Sequence, residues 1–435
     1  MPGTMLRENS NIIIVGGGPA GCFFALKVLR LMKERGLRFN IKILEQRDFS
    51  VAGPKGCNMC AGIIGGRVVD GITGLGVEID SRVIRQDVEG FRIYLDGMNA
   101  EVKKRDSDRV FTVFRGLGPT SARTGEEFVG LDAFMLKKTI DMGVGFRKAV
   151  VRSIKLGRNI NESHNVIYTD EGGNEIEEKA DLVVIACGVN SALTRSFNFG
   201  YVPPSFWHTC QGEIDLPARN ESLSRFIHIF SRRNSLFLFT AVTPKGRFMT
   251  ITGIGKWVKF QDLLDELTVL QIKKLFNTDL KISCHCHPRI PVTTARNPYY
   301  HRLVMVGDAC VSRYLKNGIE SALFTSQWAA ESAIVHGIDR DSFHRNYRPQ
   351  FHSFLTRDNR YGRVMFFLYR VTSSNKFFSR TCISALKLES QDPKKKYWMM
   401  DILWHLFAGD KPYRKIFGKT FMIWKALRMI KNAWR

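Results

Sequence analysis

The sequence predicts an α/β fold in which a parallel sheet is interrupted by an antiparallel sheet and followed by a helical region. Three observations support this prediction: a glycine-rich turn between an apolar run and a helical pattern near the start, strand-like alternation in the middle, and a basic helical stretch at the end. With 435 residues the chain is long enough for two or three domains. Its 44% hydrophobic content is typical of a globular protein, which argues against disorder.

The first predicted elements are a strand, a glycine turn and a helix that begin at residue 11. Residues 12–15 are apolar and β-branched, as expected for a strand buried on both faces of a parallel sheet. The first glycine of the turn permits a sharp change of direction, the second leaves room for a pyrophosphate at a helix N-terminus, and the third lets the helix pack closely on the strand. The candidate binding residues of this turn are Gly16, Gly18, Pro19, Ala20 and Gly21.

The second strand is predicted over residues 41–45 and ends in an acidic residue. The carboxylate of Glu45 at its tip can accept hydrogen bonds from the ribose hydroxyls of an adenosine. The order of strand, glycine turn, helix, strand and acid predicts a dinucleotide site. The alternative is a tight strand-to-helix turn that binds no ligand.

Later patterns predict that the nucleotide-binding domain is discontinuous. Residues 181–188 and 303–308 read as further buried parallel strands, whereas 91–114 and much of 203–287 alternate as half-buried antiparallel strands do. Helices are expected over 131–142 and 261–276. The predicted segments are 1–90, 131–202 and 289–345 for the nucleotide-binding domain, 91–130 and 203–288 for the antiparallel substrate domain, and 346–435 for a helical C-terminal region.

The charge of the chain is unusually positive. Lys and Arg number 65 against 41 Asp and Glu, which gives a net charge of +24. Residues 349–435 alone hold 18 basic and 5 acidic residues, so an acidic partner is expected. No recognised nucleic-acid-binding motif accompanies this charge, and we therefore expect no nucleic acid as a partner.

The last segment, 411–435, predicts a helix with aromatic and aliphatic residues broadly on one side and basic residues largely opposite. Such a helix suits the interface of an anionic membrane. The alternative is a helix docked on the protein core with a solvated basic face. Residues 1–10 lack the apolar core of a signal peptide, and no apolar stretch is long enough to span a bilayer, so we expect a cytoplasmic, peripherally membrane-associated protein.

Three segments together resemble the FAD-dependent oxidoreductases of the p-hydroxybenzoate-hydroxylase type. They are the glycine turn at 16–21, the segment Ala186-Cys-Gly-Val-Asn-Ser191, and Val306-Gly-Asp-Ala309 followed by Lys316-Asn-Gly-Ile319. Within that group, three further features are similar to the geranylgeranyl reductase family. These features are residues 56–62 with two cysteines, residues 237–246 followed by 250–255, and residues 406–413.

The resemblance implies a Rossmann-type domain that binds FAD. Asp308 would hold the ribityl and pyrophosphate region, and Gly307 would let the backbone close around it. Gly318, between Asn317 and Ile319 at the start of a helix, would present N–H groups to the pyrimidine edge of the flavin. The helix dipole there stabilises the negative charge of the reduced form. An ordinary strand-to-turn cap is the alternative for Gly307 and Asp308.

Cys57 and Cys60 are the candidate catalytic residues. A family that reduces an isolated isoprenoid double bond needs a hydride from the flavin and a proton from another group, and a thiol beside the flavin could supply that proton. Burial as inert apolar side chains is the main alternative. A zinc site that joined these two cysteines to the Cys-His-Cys-His run at 284–287 would need a contact across more than two hundred residues, so no metal is predicted.

The sequence departs from the family in one place that bears on the cofactor. Related flavoproteins carry an arginine shortly before the Asp of the segment that matches 127–136, and no arginine stands there in this chain. No second glycine-rich turn follows, so a dedicated Rossmann site for a nicotinamide is not expected, and the electron donor would be transiently bound NAD(P)H or a reduced electron-carrier protein.

The resemblance therefore implies an FAD-dependent reductase that acts on carbon–carbon double bonds of an apolar isoprenoid lipid. One alternative is a flavin-dependent monooxygenase of the same fold acting on a small aromatic. Another is a non-catalytic flavoprotein that binds lipid or a partner through its basic tail.

Overall fold

The computed structural model describes residues 4–58, 60–105, 107–122, 126–216, 221–268, 272, 275, 282–391 and 398–420, with the side chains of 195 and 196 left aside. The strands are β1 Asn11–Val15, β2 Asn40–Glu45, β3 Ile63–Gly65, β4 Ile84–Asp87, β5 Gly90–Leu95, β6 Met98–Lys103, β7 Val110–Val113, β8 Gly145–Lys155, β9 His164–Asp170, β10 Glu175–Ala180, β11 Leu182–Ile185, β12 Phe206–Asp215, β13 Phe226–Ser231, β14 Phe239–Lys245, β15 Phe248–Gly255, β16 Ile282–Cys286, β17 Arg289–Pro291, β18 Tyr299–Tyr300 and β19 Leu303–Met305.

Helices lie between and after these strands. They are α1 Pro19–Arg35, α2 Gly66–Gly74, α3 Leu131–Asp141, α4 Glu221–Ser224, α5 Phe260–Leu267, α6 Gly318–Glu331, α7 Asp358–Ser374, α8 Lys376–Gln391, α9 Met399–Ala408 and α10 Tyr413–Thr420. The helix predicted over 131–142 is confirmed as α3. Of the helix predicted over 261–276, the structure shows α5, and most of the remainder lies outside the described residues.

The first sheet has the order β10-β9-β8-β2-β1-β11-β19-β18. Its centre is parallel from β8 through β2, β1 and β11 to β19, and antiparallel strands flank both ends. Because β1, β11 and β19 are adjacent, the turns that follow them meet at one edge of the sheet. This is the carboxyl edge, where ligands bind in open α/β sheets.

The second sheet has the order β16-β12-β15-β14-β13-β5-β6, and β17 also pairs with β12. It is antiparallel except for the parallel pair formed by β13 and β5. The strands of 91–114 do not all join this sheet, because β7 pairs with β3 and β4 in a separate three-stranded sheet. That pairing brings the end of β7 beside the loop that carries the two candidate cysteines, since Val113 N–H donates to the carbonyl of Gly62.

The C-terminal helices cover the second sheet. The Trp404 ring of α9 packs edge-on against Phe91 of β5 with centroids 5.3 Å apart. In α10, Ile416 is buried and the Phe417 ring lies 5.2 Å from Tyr361 of α7. The described part of the predicted tail helix therefore packs its apolar side chains on the protein, and residues 421–435 lie outside the described residues. Across the described ranges, no helix is long and apolar enough to span a bilayer.

Candidate flavin and substrate site

The turn between β1 and α1 depends on two of its glycines. Gly16 has φ +114°, and a Cβ atom there would lie 2.5 Å from the carbonyl oxygen of Ala186. A Cβ atom on Gly21 would lie 1.9 Å from the carbonyl oxygen of Gly16. No side chain fits at either position, so the two glycines bring β11 and α1 against the turn. This close packing matches the roles predicted for them.

Glu45 braces the same turn from the end of β2. Its carboxylate accepts hydrogen bonds from the N–H groups of Gly17 at 2.7 Å and Arg47 at 2.7 Å. Burial raises the pKa of this carboxyl despite those hydrogen bonds. The side chain also lines the cleft, so a ribose contact would add to a carboxylate that is already oriented.

One cleft runs from the carboxyl edge of the first sheet to the second sheet. Most of the predicted site residues lie on its wall. They are Gly16, Gly18, Pro19, Ala20, Glu45, Cys60, Asp308, Asn317, Gly318 and Ile319. Gly21 and Gly307 lie directly behind the wall, where Gly307 (φ +60°) packs close to Ala20 and donates its N–H to Thr325 Oγ1 at 2.9 Å.

Asp308 places a carboxylate in this cleft. Its Oδ1 atom is buried and has no hydrogen-bond partner in the described part of the chain. Burial raises the pKa of the carboxyl, although Ser312 and the positive charge of Arg115 act in the opposite direction. A buried carboxylate oxygen without a donor costs free energy, so a ligand that brings hydroxyl donors would stabilise it. The ribityl chain of FAD has donors of this kind, and Asp308 therefore fits the expected cofactor.

The N-terminus of α6 faces the same space. Asn317 precedes the helix in a left-handed conformation with φ 49°, and its Nδ2 donates to the carbonyl of Gly409 at 3.0 Å. That bond fixes the turn that exposes the N–H groups at Gly318. A helix N-terminus favours a group that becomes negative on reduction.

Arg115 is a site residue that the sequence analysis missed. Its guanidinium makes two 2.7 Å hydrogen bonds to the buried carboxylate of Asp132, and it lines the cleft. Asp132 also accepts from Asn58 Nδ2 at 2.9 Å and from Gly116 N–H at 2.8 Å. Burial alone would raise the pKa of Asp132, but these charged and polar partners hold it below its usual value. Arg115 therefore places a fixed positive charge on the cleft wall, in a chain that has no arginine at 127–131.

Lys316 is a second residue of the cleft wall to which the sequence analysis assigned no role. Its Nζ lies 4.8 Å from the ring centroid of Phe239 and 5.0 Å from that of Phe407, and all three side chains line the cleft. Burial lowers the pKa of this ammonium to about 7. A lysine with such a pKa can donate or accept a proton near neutral pH. The lowered pKa could not be predicted from the sequence, because the aromatic residues beside Lys316 come from distant segments of the chain.

The two candidate cysteines occupy different places. Cys60 lines the cleft, and its Sγ accepts the N–H of Gly62 at 3.5 Å. Cys57 is not part of the cleft wall, and its carbonyl accepts from Arg47 Nη1 at 2.5 Å. Within the described ranges, no group of three or more His, Cys, Asp or Glu is arranged to hold a metal ion.

The end of the cleft at the second sheet is mainly apolar. The wall there includes Phe239, Ala241, Ile254, Ile290, Leu315 and Phe407. Gln211 and Thr252 are register partners on β12 and β15 and form a polar patch on this wall. The Thr252 hydroxyl is buried and has no hydrogen-bond partner among the described atoms. This end therefore suits a largely apolar ligand with one polar group.

The chain resembles solved flavoprotein structures in fold, although its sequence matches no known family. No protein-family model matches the chain, and no curated protein matches it in sequence. A geranylgeranyl bacteriochlorophyll reductase-like protein from Thermoplasma acidophilum matches with a TM-score of 0.68 and 13% identity over 97% of this chain and 99% of that one. A flavoprotein/dehydrogenase from Cytophaga hutchinsonii matches with a TM-score of 0.67 and 14% identity over 98% and 100% of the chains.

A third solved structure, the p-nitrophenol 4-monooxygenase PnpA from Pseudomonas putida, gives a TM-score of 0.61 and 13% identity over 97% of this chain and 99% of that one. The chain has the Rossmann-type fold of these flavoproteins. The predicted fold class is therefore confirmed, including the helical C-terminal region. Structural matches at 13–14% identity establish the fold alone, so the reaction must be inferred from the residues of the site.

Proposed function

We propose that the protein is an FAD-dependent oxidoreductase that reduces carbon–carbon double bonds of an apolar isoprenoid lipid. The observation that carries this proposal is a single cleft with two unlike ends. One end has the glycine turn and the unpartnered Asp308 oxygen, and the other has an apolar wall. When bound, FAD would supply a hydride from its reduced ring.

The residues of the chain would share the remaining tasks. The turn that starts at Gly16 would bind the pyrophosphate, Glu45 the ribose and Asp308 the ribityl chain. The N-terminus of α6 would bind the pyrimidine edge of the flavin. Arg115 would add a fixed positive charge, because its ion pair with Asp132 holds the guanidinium at the cleft wall.

A proton must also reach the substrate, and two residues on the wall could deliver it. Cys60 is the candidate proposed from the sequence, and Lys316 is the second because its ammonium has a pKa of about 7. We favour Cys60 as the donor because it lies on the loop that resembles the reductase family. The electron donor would be NAD(P)H or a reduced carrier protein.

The test is an anaerobic single turnover with FAD-loaded, dithionite-reduced protein and a geranylgeranyl lipid, followed by mass spectrometry. We expect the lipid to gain one H₂ per reduced double bond. Cys60→Ser should slow this step by about a hundredfold, as loss of a general acid does, whereas Cys57→Ser should react at the wild-type rate. Unchanged lipid with the wild type would contradict the reductase, and equal rates for both variants would contradict the role of Cys60.

A flavin-dependent monooxygenase acting on a small aromatic is the second candidate. The polar patch of Gln211 and Thr252 favours it, because a phenolic hydroxyl could bond to the unpartnered Thr252 oxygen. NADPH oxidation in air that rises on addition of a simple phenol would support this candidate. Lipid reduction that is insensitive to oxygen would exclude it.

A further inference from the structure

The most exposed large apolar side chains come from three separate elements. Among the described residues, Trp257 is 75% exposed, Phe367 66% and Leu236 65%, well above any other large apolar side chain. Leu236 lies in the turn between β13 and β14, Trp257 in the segment between β15 and α5, and Phe367 on α7. Isolated exposed apolar residues are common on protein surfaces. These three side chains indicate a binding surface only if they lie close together in one patch.

Direct contacts join the three elements into one surface. Arg370 of α7 donates 2.7 Å hydrogen bonds to the carbonyls of Phe237 and Ser235, which flank Leu236 on both sides. A Cβ atom on Gly255, two residues before Trp257, would lie 2.9 Å from the carbonyl oxygen of Leu236. The β13–β14 turn therefore touches both the helix that carries Phe367 and the segment that carries Trp257.

The outer face of α7 enlarges this apolar surface. Val364, Phe367 and Val371 follow at helical spacing and point away from the buried side that contains Met365 and Tyr369. Phe378, at the start of the next helix, is 44% exposed. We call Leu236, Trp257, Val364, Phe367, Val371 and Phe378 together the exposed apolar surface.

Cations predominate around this surface, although one of them, Arg232, is paired with Glu266 of α5 at 2.9 Å. Residues 232–238, 255–259 and 359–380 contain nine Arg and Lys and no Asp or Glu. Arg233, Lys256, Lys259 and Lys376 are exposed. An apolar centre with a basic margin is the composition expected of a surface that enters the headgroup region of an anionic bilayer.

The exposed apolar surface also adjoins the substrate end of the cleft. The ring of Trp257 lies 5.8 Å from that of His208, and His208 is the register partner of Arg289, which lines the cleft. On the other side, Phe239 of the cleft wall follows Phe237 by two residues. A ligand that left a bilayer at this surface would reach the apolar end of the cleft by a short path.

We infer that this face docks on the anionic surface of a lipid bilayer, with Leu236, Trp257 and Phe367 inserted among the headgroups and the surrounding Arg and Lys paired with lipid phosphates. The docking itself does not depend on the proposed function. Only its purpose, the uptake of an apolar substrate from the bilayer, rests on that proposal. It places the membrane contact on α7 and two turns of the second sheet, on residues other than those of the predicted tail segment 421–435.

The test is co-sedimentation of the full chain with phosphatidylcholine vesicles that contain or lack phosphatidylserine. The variant Leu236→Ser/Trp257→Ser/Phe367→Ser is compared with the control Met142→Ser/Phe146→Ser/Val202→Ser, which also replaces three exposed apolar side chains by serine but outside this surface. We expect the wild type and the control to bind phosphatidylserine vesicles and the first variant to bind them at least about tenfold more weakly. All three proteins retain 421–435, so any contribution from that segment cancels.

Unchanged binding by the first variant, equal loss in the control, or no binding by the wild type would overturn the inference. Circular dichroism and the unfolding midpoint show whether each variant is folded. FAD content and the reduction of detergent-dispersed lipid, measured on the same samples, test the proposed function separately. If the protein bound vesicles but no flavin, the proposed function would be wrong and the membrane-docking inference would be unaffected.

Discussion

The two ends of the cleft are built in different ways. The end at the first sheet consists of backbone turns that follow neighbouring parallel strands, and its key residues are glycines, the two acids Glu45 and Asp308, and a helix N-terminus. The end at the second sheet consists of side chains from β12, β14, β15, β17 and α9, which lie far apart in the chain. Geometry at the first end is fixed by backbone packing, whereas chemistry at the second end depends on which side chains the fold brings together.

The largest effect should come from disturbing the backbone packing at the first end. In Gly21→Ala the new Cβ atom would lie 1.9 Å from the carbonyl oxygen of Gly16, so α1 must move away from β1. We expect the free energy of unfolding to fall by about 4 kcal/mol and FAD binding to be lost. Gly74→Ala is the control, since a Cβ atom there meets no atom within 4 Å, and it should change stability by less than about 0.5 kcal/mol. Urea denaturation measures both, and similar losses would refute the packing argument.

The next effect concerns the buried ion pair of Arg115 and Asp132 at the cleft wall. Arg115→Met would leave the carboxylate of Asp132 buried without its charged partner. We expect a loss of about 3 kcal/mol in the free energy of unfolding. Arg82→Met removes an arginine from an exposed pair with Asp80 and should leave the free energy of unfolding nearly unchanged. Chemical denaturation measures the free energy of unfolding of both variants. If Arg115→Met lost no more stability than Arg82→Met, the buried ion pair would not have the stabilising role assigned to it.

A smaller, pH-dependent effect should arise at the second end. Burial lowers the pKa of Lys316 to about 7, whereas the unfolded chain keeps the ordinary value of 10.5. Between these values the unfolded state binds more protons, so the free energy of unfolding rises with pH across this window. Relative to Lys316→Met, which lacks this contribution, the wild type should gain up to about 1.4 kcal/mol in free energy of unfolding per pH unit between pH 7 and pH 10. Parallel pH profiles in urea denaturation would contradict the burial of this ammonium.

The smallest effect separates ligand binding from stability at the first end. Asp308→Asn keeps the shape of the side chain but removes the charge of an unpartnered buried oxygen. We expect FAD affinity to fall about tenfold, while the free energy of unfolding of the ligand-free protein stays equal or rises. Flavin fluorescence titration and thermal unfolding test the two halves of this statement. Weaker stability with unchanged affinity would assign Asp308 to the fold rather than to the ligand.

The contrast between the two ends also explains what the sequence could predict. The glycine turn and Glu45 could be predicted because they belong to a strand-turn pattern that is local in the chain. Asp308 and Gly318 were predicted from the resemblance of short segments to known flavoproteins, and these segments are also local. Phe407 could not be found in this way, because α9 reaches the cleft from a segment that carries no nucleotide-binding pattern. Arg115 could not be predicted either, because it belongs to no motif and its place at the cleft wall follows from an ion pair with Asp132, a residue 17 positions away.

The central claim is that the cleft binds FAD at the edge of the first sheet. Titration of FAD into the purified wild-type protein, followed by flavin fluorescence, tests it most directly. We predict saturation at one FAD per chain with a dissociation constant of about 1 μM or lower, and no saturation with Gly21→Ala. Binding that fails to saturate with the wild type, or that is equally tight in Gly21→Ala, would contradict the claim.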